Sequence, residues 1–123
     1  VSIFMNVFNV HVNRSPVSGE IEKIIYKNGK FFNASLDKAS EHNERNSIII
    51  NNNNEKIIVV QIAGLIARRI LSFISENDTM EKGERIGLIR FGSRVDIYLP
   101  LNYKIKVNQN DIVAAGQTII AER

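Results

Sequence analysis

Ser93 follows Gly92 in the middle of a β-like stretch, residues 87–100, and that pair is where this sequence offers chemistry. Leu88, Phe91, Val95, Ile97 and Leu99 are residue types that favour a pleated, half-buried surface, so a strand is predicted on each side of the pair. A Gly-Ser inside a strand ordinarily marks a bulge or a tight turn, because Gly reaches backbone conformations closed to other residues. The same pair permits something else. In a strained Gly-Ser peptide the Ser hydroxyl can attack the preceding carbonyl and turn the amide into an ester, and elimination of the acyl group then leaves a pyruvoyl group where the Ser stood. The other candidates for proton chemistry are the two histidines, His11 and His42. A lone His among apolar residues is more often structural than catalytic, and the two are too far apart, without carboxylates at ligand spacing, to signal a metal. The absence of Cys removes thiol catalysis, disulfides and thiolate metal sites together.

The elements that must position these residues read as strands from end to end. Residues 1–16 open with Ile3, Phe4, Met5, Val7, Phe8, Val10 and Val12, which predict a buried strand entering a loop at residues 13–16. Ile21, Ile24, Ile25 and Tyr26 predict a strand closing at Asn28-Gly29, a strong turn dipeptide. Residues 33–46 are polar without a clean period and read as a long loop. Residues 47–50 and 57–61 predict a hairpin across the Asn51 to Asn54 run. A turn at Ala63-Gly64 is expected next, then a strand or helix to Ile74. Residues 81–87 read as a turn delivering the chain to the Gly-Ser stretch, and residues 107–121 alternate turn residues with short β pairs, as small barrel-sandwich folds do. The expected fold is therefore all-β with minor α, a barrel-sandwich-like single domain over residues 1–123.

Composition narrows the function classes. A chain of 123 residues with 44% apolar and 24% charged residues is one folded domain, not a disordered segment. The net charge of +3 is spread along the chain, with Arg68-Arg69 the only adjacent basic pair, so a nucleic-acid partner is not expected. No apolar run reaches the roughly 18 residues of a spanning helix. The first residue is Val, which leads us to expect natural sequence upstream.

Four segments in order resemble one family. Residues 8–19 resemble the His motif of phosphatidylserine decarboxylases, residues 43–46 their Asn-Glu-Arg-Asn segment, residues 61–69 their Gln-Ile-Ala-Gly-Leu-Ile-Ala-Arg-Arg segment, and residues 87–100 the region of their self-cleavage site, in the short bacterial and archaeal form. The resemblance runs from Val1 to Ala121. It implies that the bond between Gly92 and Ser93 breaks, giving a β-chain part (1–92) and an α chain (93–123) whose Ser93 becomes the pyruvoyl cofactor. It implies phosphatidylserine as substrate and phosphatidylethanolamine as product, the carbonyl serving as an electron sink, with His11 as acid and base. It implies a membrane surface, the two chains of one proenzyme and a homodimer as partners, on the cytoplasmic side of the cell membrane. Arg14 stands where the longer bacterial branch has a second His. Family members carry an acidic residue upstream that pairs with the His, and Asp96 and Glu44 are the replacements available in this sequence.

Two other functions fit parts of the sequence. Asp37-Lys38-Ala39 resembles the lysine turn of lipoyl and biotinyl carrier domains, which would place a cofactor on Lys38. An inactive fragment or inert structural domain is the other. For lipid contact the best stretch is residues 62–74, where Arg68 and Arg69 sit among apolar residues, with Arg14 a further basic contact.

Overall fold

The computed structural model describes residues 1–5, 12–29, 43–64, 70–89 and 92–123. Eleven strands carry the described residues: β1 (Ser2–Met5), β2 (Val12–Arg14), β3 (Gly19–Lys27), β4 (Arg45–Asn52), β5 (Glu55–Ala63), β6 (Ile70–Ser72), β7 (Thr79–Met80), β8 (Arg85–Ile89), β9 (Ser93–Tyr98), β10 (Lys104–Ile105) and β11 (Ala121–Glu122). Among the described residues there is no helix, so the all-β expectation is met.

The strands form a six-stranded sheet in the order β1-β9-β5-β4-β3-β7, a three-stranded sheet β2-β8-β6, and the ribbon β10-β11. The large sheet is antiparallel throughout and curls into half a barrel. Its centre is the β4-β5 hairpin, registered from Arg45↔Ile62 to Asn52↔Glu55. The Asn run makes that hairpin close: Asn53 and Asn54 both take positive φ, 48° and 67°, the handedness that two-residue hairpin turns require and that Asn tolerates better than most residues.

Period-2 alternation then sorts the side chains. Ile48 and Ile50 of β4, Ile57 and Val59 of β5, and Val95 and Ile97 of β9 point inward, where Ile86 and Ile89 of β8 meet them from the small sheet in one apolar cluster. Burying a side chain of this size contributes about 1.5–3 kcal/mol relative to leaving it in water.

Several boundaries differ from the expectation. Asn13 and Arg14 belong to strand β2 and not to a loop, because β8 offers them a partner that local sequence cannot show. Arg45 and Asn46 open β4 two residues ahead of the predicted strand, because β5 continues to Ala63 and pairs with them. Residues 107–121 hold turns instead of short β pairs: Asn110 and Gly116 have positive φ, and Ile112 and Ile119 are exposed. Only Ala121–Glu122 pairs, against β10.

Candidate active site

The Gly92–Ser93 junction is neither a bulge nor a hairpin. Ile89 ends β8 in the small sheet and Ser93 begins β9 in the large one, so the pair sits where the chain passes between layers. Gly92 has φ +72°, in the left-handed region, and a Cβ there would meet nothing within 4 Å. The demand for Gly is therefore conformational and not steric.

Ser93 itself is held on both sides, opposite Met5 of β1 and Ala63 of β5. It is 0% exposed, and its Oγ has no hydrogen-bond partner. A buried hydroxyl left unpaired costs about 1–3 kcal/mol, and such atoms are rare enough that each calls for a reason. Ser93 Oγ is such an atom, and it belongs to the residue that follows the Gly92 carbonyl.

The neighbouring row of the inner face is polar. Asn46 Nδ2 donates to Gln61 Oε1 (3.1 Å), Gln61 Nε2 donates to Asn13 Oδ1 (2.8 Å), and Asn13 Nδ2 donates to Met5 Sδ (3.9 Å). This buried chain of amides ties β4, β5, β2 and β1 together and ends on the residue packed beside Ser93. The small sheet closes over it at Gly87, where an added Cβ would lie 2.4 Å from Gln61 Nε2 and 2.7 Å from the Leu71 carbonyl oxygen. Gly87→Ala is accordingly expected to lower stability by about 1–3 kcal/mol through overpacking, read as a lower denaturant midpoint at unchanged slope; a midpoint equal to that of the unaltered chain would show that the layers have slack here.

Of the two replacement carboxylates, the fold separates one from Ser93. Asp96 is three residues further along β9 and so points to the outer face, where its Oδ1 lies 3.0 Å from Arg94 Nε. A groove of about 370 Å³ on that outer face, lined by Val60, Ile62, Asp96 and Tyr98 among others, is likewise on the wrong side of the sheet. Glu44 is different. The register that sets Arg45 against Ile62 brings Glu44 next to Ala63, whose N–H donates to the Glu44 carbonyl (3.0 Å). Glu44 is thus in the same inward row as Ser93, with Ala63 between, and its Oε2 accepts a hydrogen bond from the Tyr26 hydroxyl. Tyr26, Asn13, Asn46 and Gln61 were not picked out from sequence; Gln61 at an inward position between Val59 and Ala63 was the available signal.

The fold does not bring Arg14 to Ser93. Arg14 pairs with Arg85 at the start of β8, the end away from Ser93, and its Nη1 donates to the Gly83 carbonyl (2.8 Å). His11, Lys38, Arg68 and Arg69 lie outside the described residues. Among the described residues no group of three or more His, Asp or Glu could hold a metal ion, and no helix is long and apolar enough to cross a membrane.

The family model for phosphatidylserine decarboxylase matches residues 1–121. The chain belongs to the phosphatidylserine decarboxylase family. Among curated decarboxylase relatives, the phosphatidylserine decarboxylase proenzyme of Azorhizobium caulinodans is 63% identical over 122 residues, covering 99% of this chain and 52% of the relative. The proenzyme of Xanthobacter autotrophicus is 58% identical over 122 residues, with the same coverage of 99% and 52%. The chain therefore spans about half the length of the curated decarboxylases it matches. No solved structure gives a significant match. Membership in the decarboxylase family agrees with the resemblance of the four segments, and the segment that contains Gly92-Ser93, residues 87–100, contributes a strand to each of the two sheets.

Proposed function

We infer that this chain cuts itself between Gly92 and Ser93 and that the protein containing it decarboxylates phosphatidylserine. The observation that carries the reading is the free, fully buried Ser93 Oγ following a left-handed Gly92. In the first step Ser93 Oγ bonds to the Gly92 carbonyl carbon as the Gly92–Ser93 C–N bond breaks, and the hydroxyl proton goes to the Ser93 nitrogen. Elimination then breaks the Cβ–Oγ bond with loss of the Cα proton, and Gly92 leaves as a carboxylate. Water displaces the nitrogen as ammonia, and a ketone remains at position 93. The word proenzyme in the relatives' names supports a precursor that is processed.

The residues around Ser93 fit such a group, since the oxygen that must be lost makes no contact that the fold depends on. When formed, the pyruvoyl group supplies an electron sink for loss of carbon dioxide from the serine carboxyl. The chain's own part is to shield the site and handle protons. Ser93, Ala63 and Met5 are all buried, so the reacting carbon lies in a low-dielectric setting away from bulk solvent. His11 supplies the proton that replaces the lost carboxyl, an imidazole being the side chain best placed to hold and give a proton near neutral pH. Contact with the lipid falls to a peripheral surface on the cytoplasmic side of the membrane with Arg68 and Arg69 in it, and a homodimer is the proposed assembly.

Intact-mass spectrometry under denaturing conditions tests the reading on the protein made with its natural flanking sequence. Two pieces are expected, divided between Gly92 and Ser93, the second starting with a pyruvoyl group in place of Ser. A single uncut mass, or a second piece beginning with unmodified Ser93, would overturn it.

A further inference from the structure

Ala63 separates two buried oxygens that no hydrogen bond satisfies. One is Ser93 Oγ and the other is Glu44 Oε1. Glu44 is 6% exposed, its Oε2 is held by the Tyr26 hydroxyl, and among the described residues no Lys or Arg pairs with it. Asp96, on the opposite face, is a buried carboxylate whose part is structural, and the fold pairs it with Arg94. A carboxylate buried with one oxygen idle is costly, and it persists where that oxygen has something to receive.

The geometry limits what that is. Neighbouring strands lie about 4.8 Å apart, so the Cα atoms of residues 44 and 93 are about 10 Å apart across the single methyl of Ala63. Glu44 and Ser93 face the core from the two ends of this short row, with only the small Ala63 side chain between them. An anion there would be repelled, and an alkyl group would leave the oxygen unsatisfied; a primary ammonium meets it with both charge and hydrogen. The amine of a serine phospholipid arrives protonated at neutral pH, and nitrogen attacks a carbonyl only after a proton leaves it.

We propose that Glu44, positioned by Tyr26, is a further catalytic residue of this site: its free Oε1 binds the ammonium of the substrate and removes one proton from it. The proton passes from nitrogen to Oε1, the N–H electron pair stays on nitrogen as the lone pair that attacks at position 93, and the carboxylate becomes the neutral acid. The inference rests on the reading of Ser93 given above and adds a base for the incoming amine.

The test separates the two. The protein with its natural flanking sequence, unaltered or carrying Glu44→Gln or Tyr26→Phe, is first weighed to measure self-cleavage. It is then offered glycerophosphoethanolamine, an ammonium at neutral pH, with cyanoborohydride to fix the captured amine, or O-methylhydroxylamine, which is uncharged there. Measured per cut chain, all three proteins are expected to take up O-methylhydroxylamine alike. Capture of glycerophosphoethanolamine should slow by about 10² or more in Glu44→Gln, the range of a lost general base, and by less in Tyr26→Phe, with its pH dependence displaced. Equal slowing toward both nucleophiles, no slowing toward either, or a folded Glu44→Gln protein that stays uncut would each overturn the assignment while leaving the reading of Ser93 intact. An unaltered protein that captures neither nucleophile would remove that reading and this inference with it.

Discussion

Replacing Ser93 by Ala is expected to leave one uncut chain of full mass. The substitution deletes the only oxygen that can reach the Gly92 carbonyl from within the same residue pair, so the loss of cleavage should be complete and not a slowing. The fold should tolerate it. Ser93 is packed between Met5 and Ala63 with its hydroxyl unpaired, and removing a buried unpaired hydroxyl relieves a cost of about 1–3 kcal/mol while opening a void smaller than a methyl group. Stability should therefore be equal or slightly higher, which a denaturant titration reads independently of cleavage. A Ser93→Ala protein, made with its natural flanking sequence, that still splits into two pieces would refute the mechanism. One that stays whole but no longer folds would show instead that the hydroxyl has a partner on which the fold depends.

His11→Ala is expected to lower turnover of the mature protein by about 10² to 10⁴, the usual effect of losing a general acid or base. The carbon that loses carbon dioxide must be given a proton, and an imidazole with an ordinary pKa near 6.5 is part protonated at neutral pH. His11 is two residues from Asn13, whose side chain is bonded to Gln61 and to Met5, the neighbour of Ser93, so the strand that follows His11 is anchored in the site. Maturation is measured separately by mass, which divides a slow cleavage from a slow decarboxylation. A His11→Ala protein that carries the pyruvoyl group and turns over at the unaltered rate would take His11 out of the mechanism.

Much of the site was legible without coordinates. The Gly-Ser pair, together with the family resemblance of residues 87–100, pointed to the oxygen and the carbonyl that the proposed cleavage joins, because that chemistry lies between adjacent residues. The Asn run named its own hairpin, since Asn53 and Asn54 supply the positive φ that such a turn needs. The strand parity that carries Asp96 away from Ser93 was also present in the spacing, three residues within one strand.

Other features escaped because they depend on pairing between distant segments. Asn13 reads as a loop residue beside Arg14-Ser15-Pro16, yet β8 captures it in a strand and Gln61 captures its side chain, 48 positions away. Residues 107–121 carry a local pattern of short β pairs that the fold does not honour, since only residues 121–122 find a partner strand.

By itself, the sequence determined the β character of the chain and the family to which it belongs, and it singled out the Gly92–Ser93 bond as the candidate for cleavage. The tertiary structure alone decided that Gly92 lies at a crossing between two sheets, and that Glu44 shares a row with Ser93. Local preference establishes that a segment is a strand and which residues alternate along it. Which residue of another strand stands opposite is set by register, and register comes from the β4-β5 turn and from the burial of Ile48, Ile50, Ile57 and Val59 against the second sheet, a condition spread over the whole core.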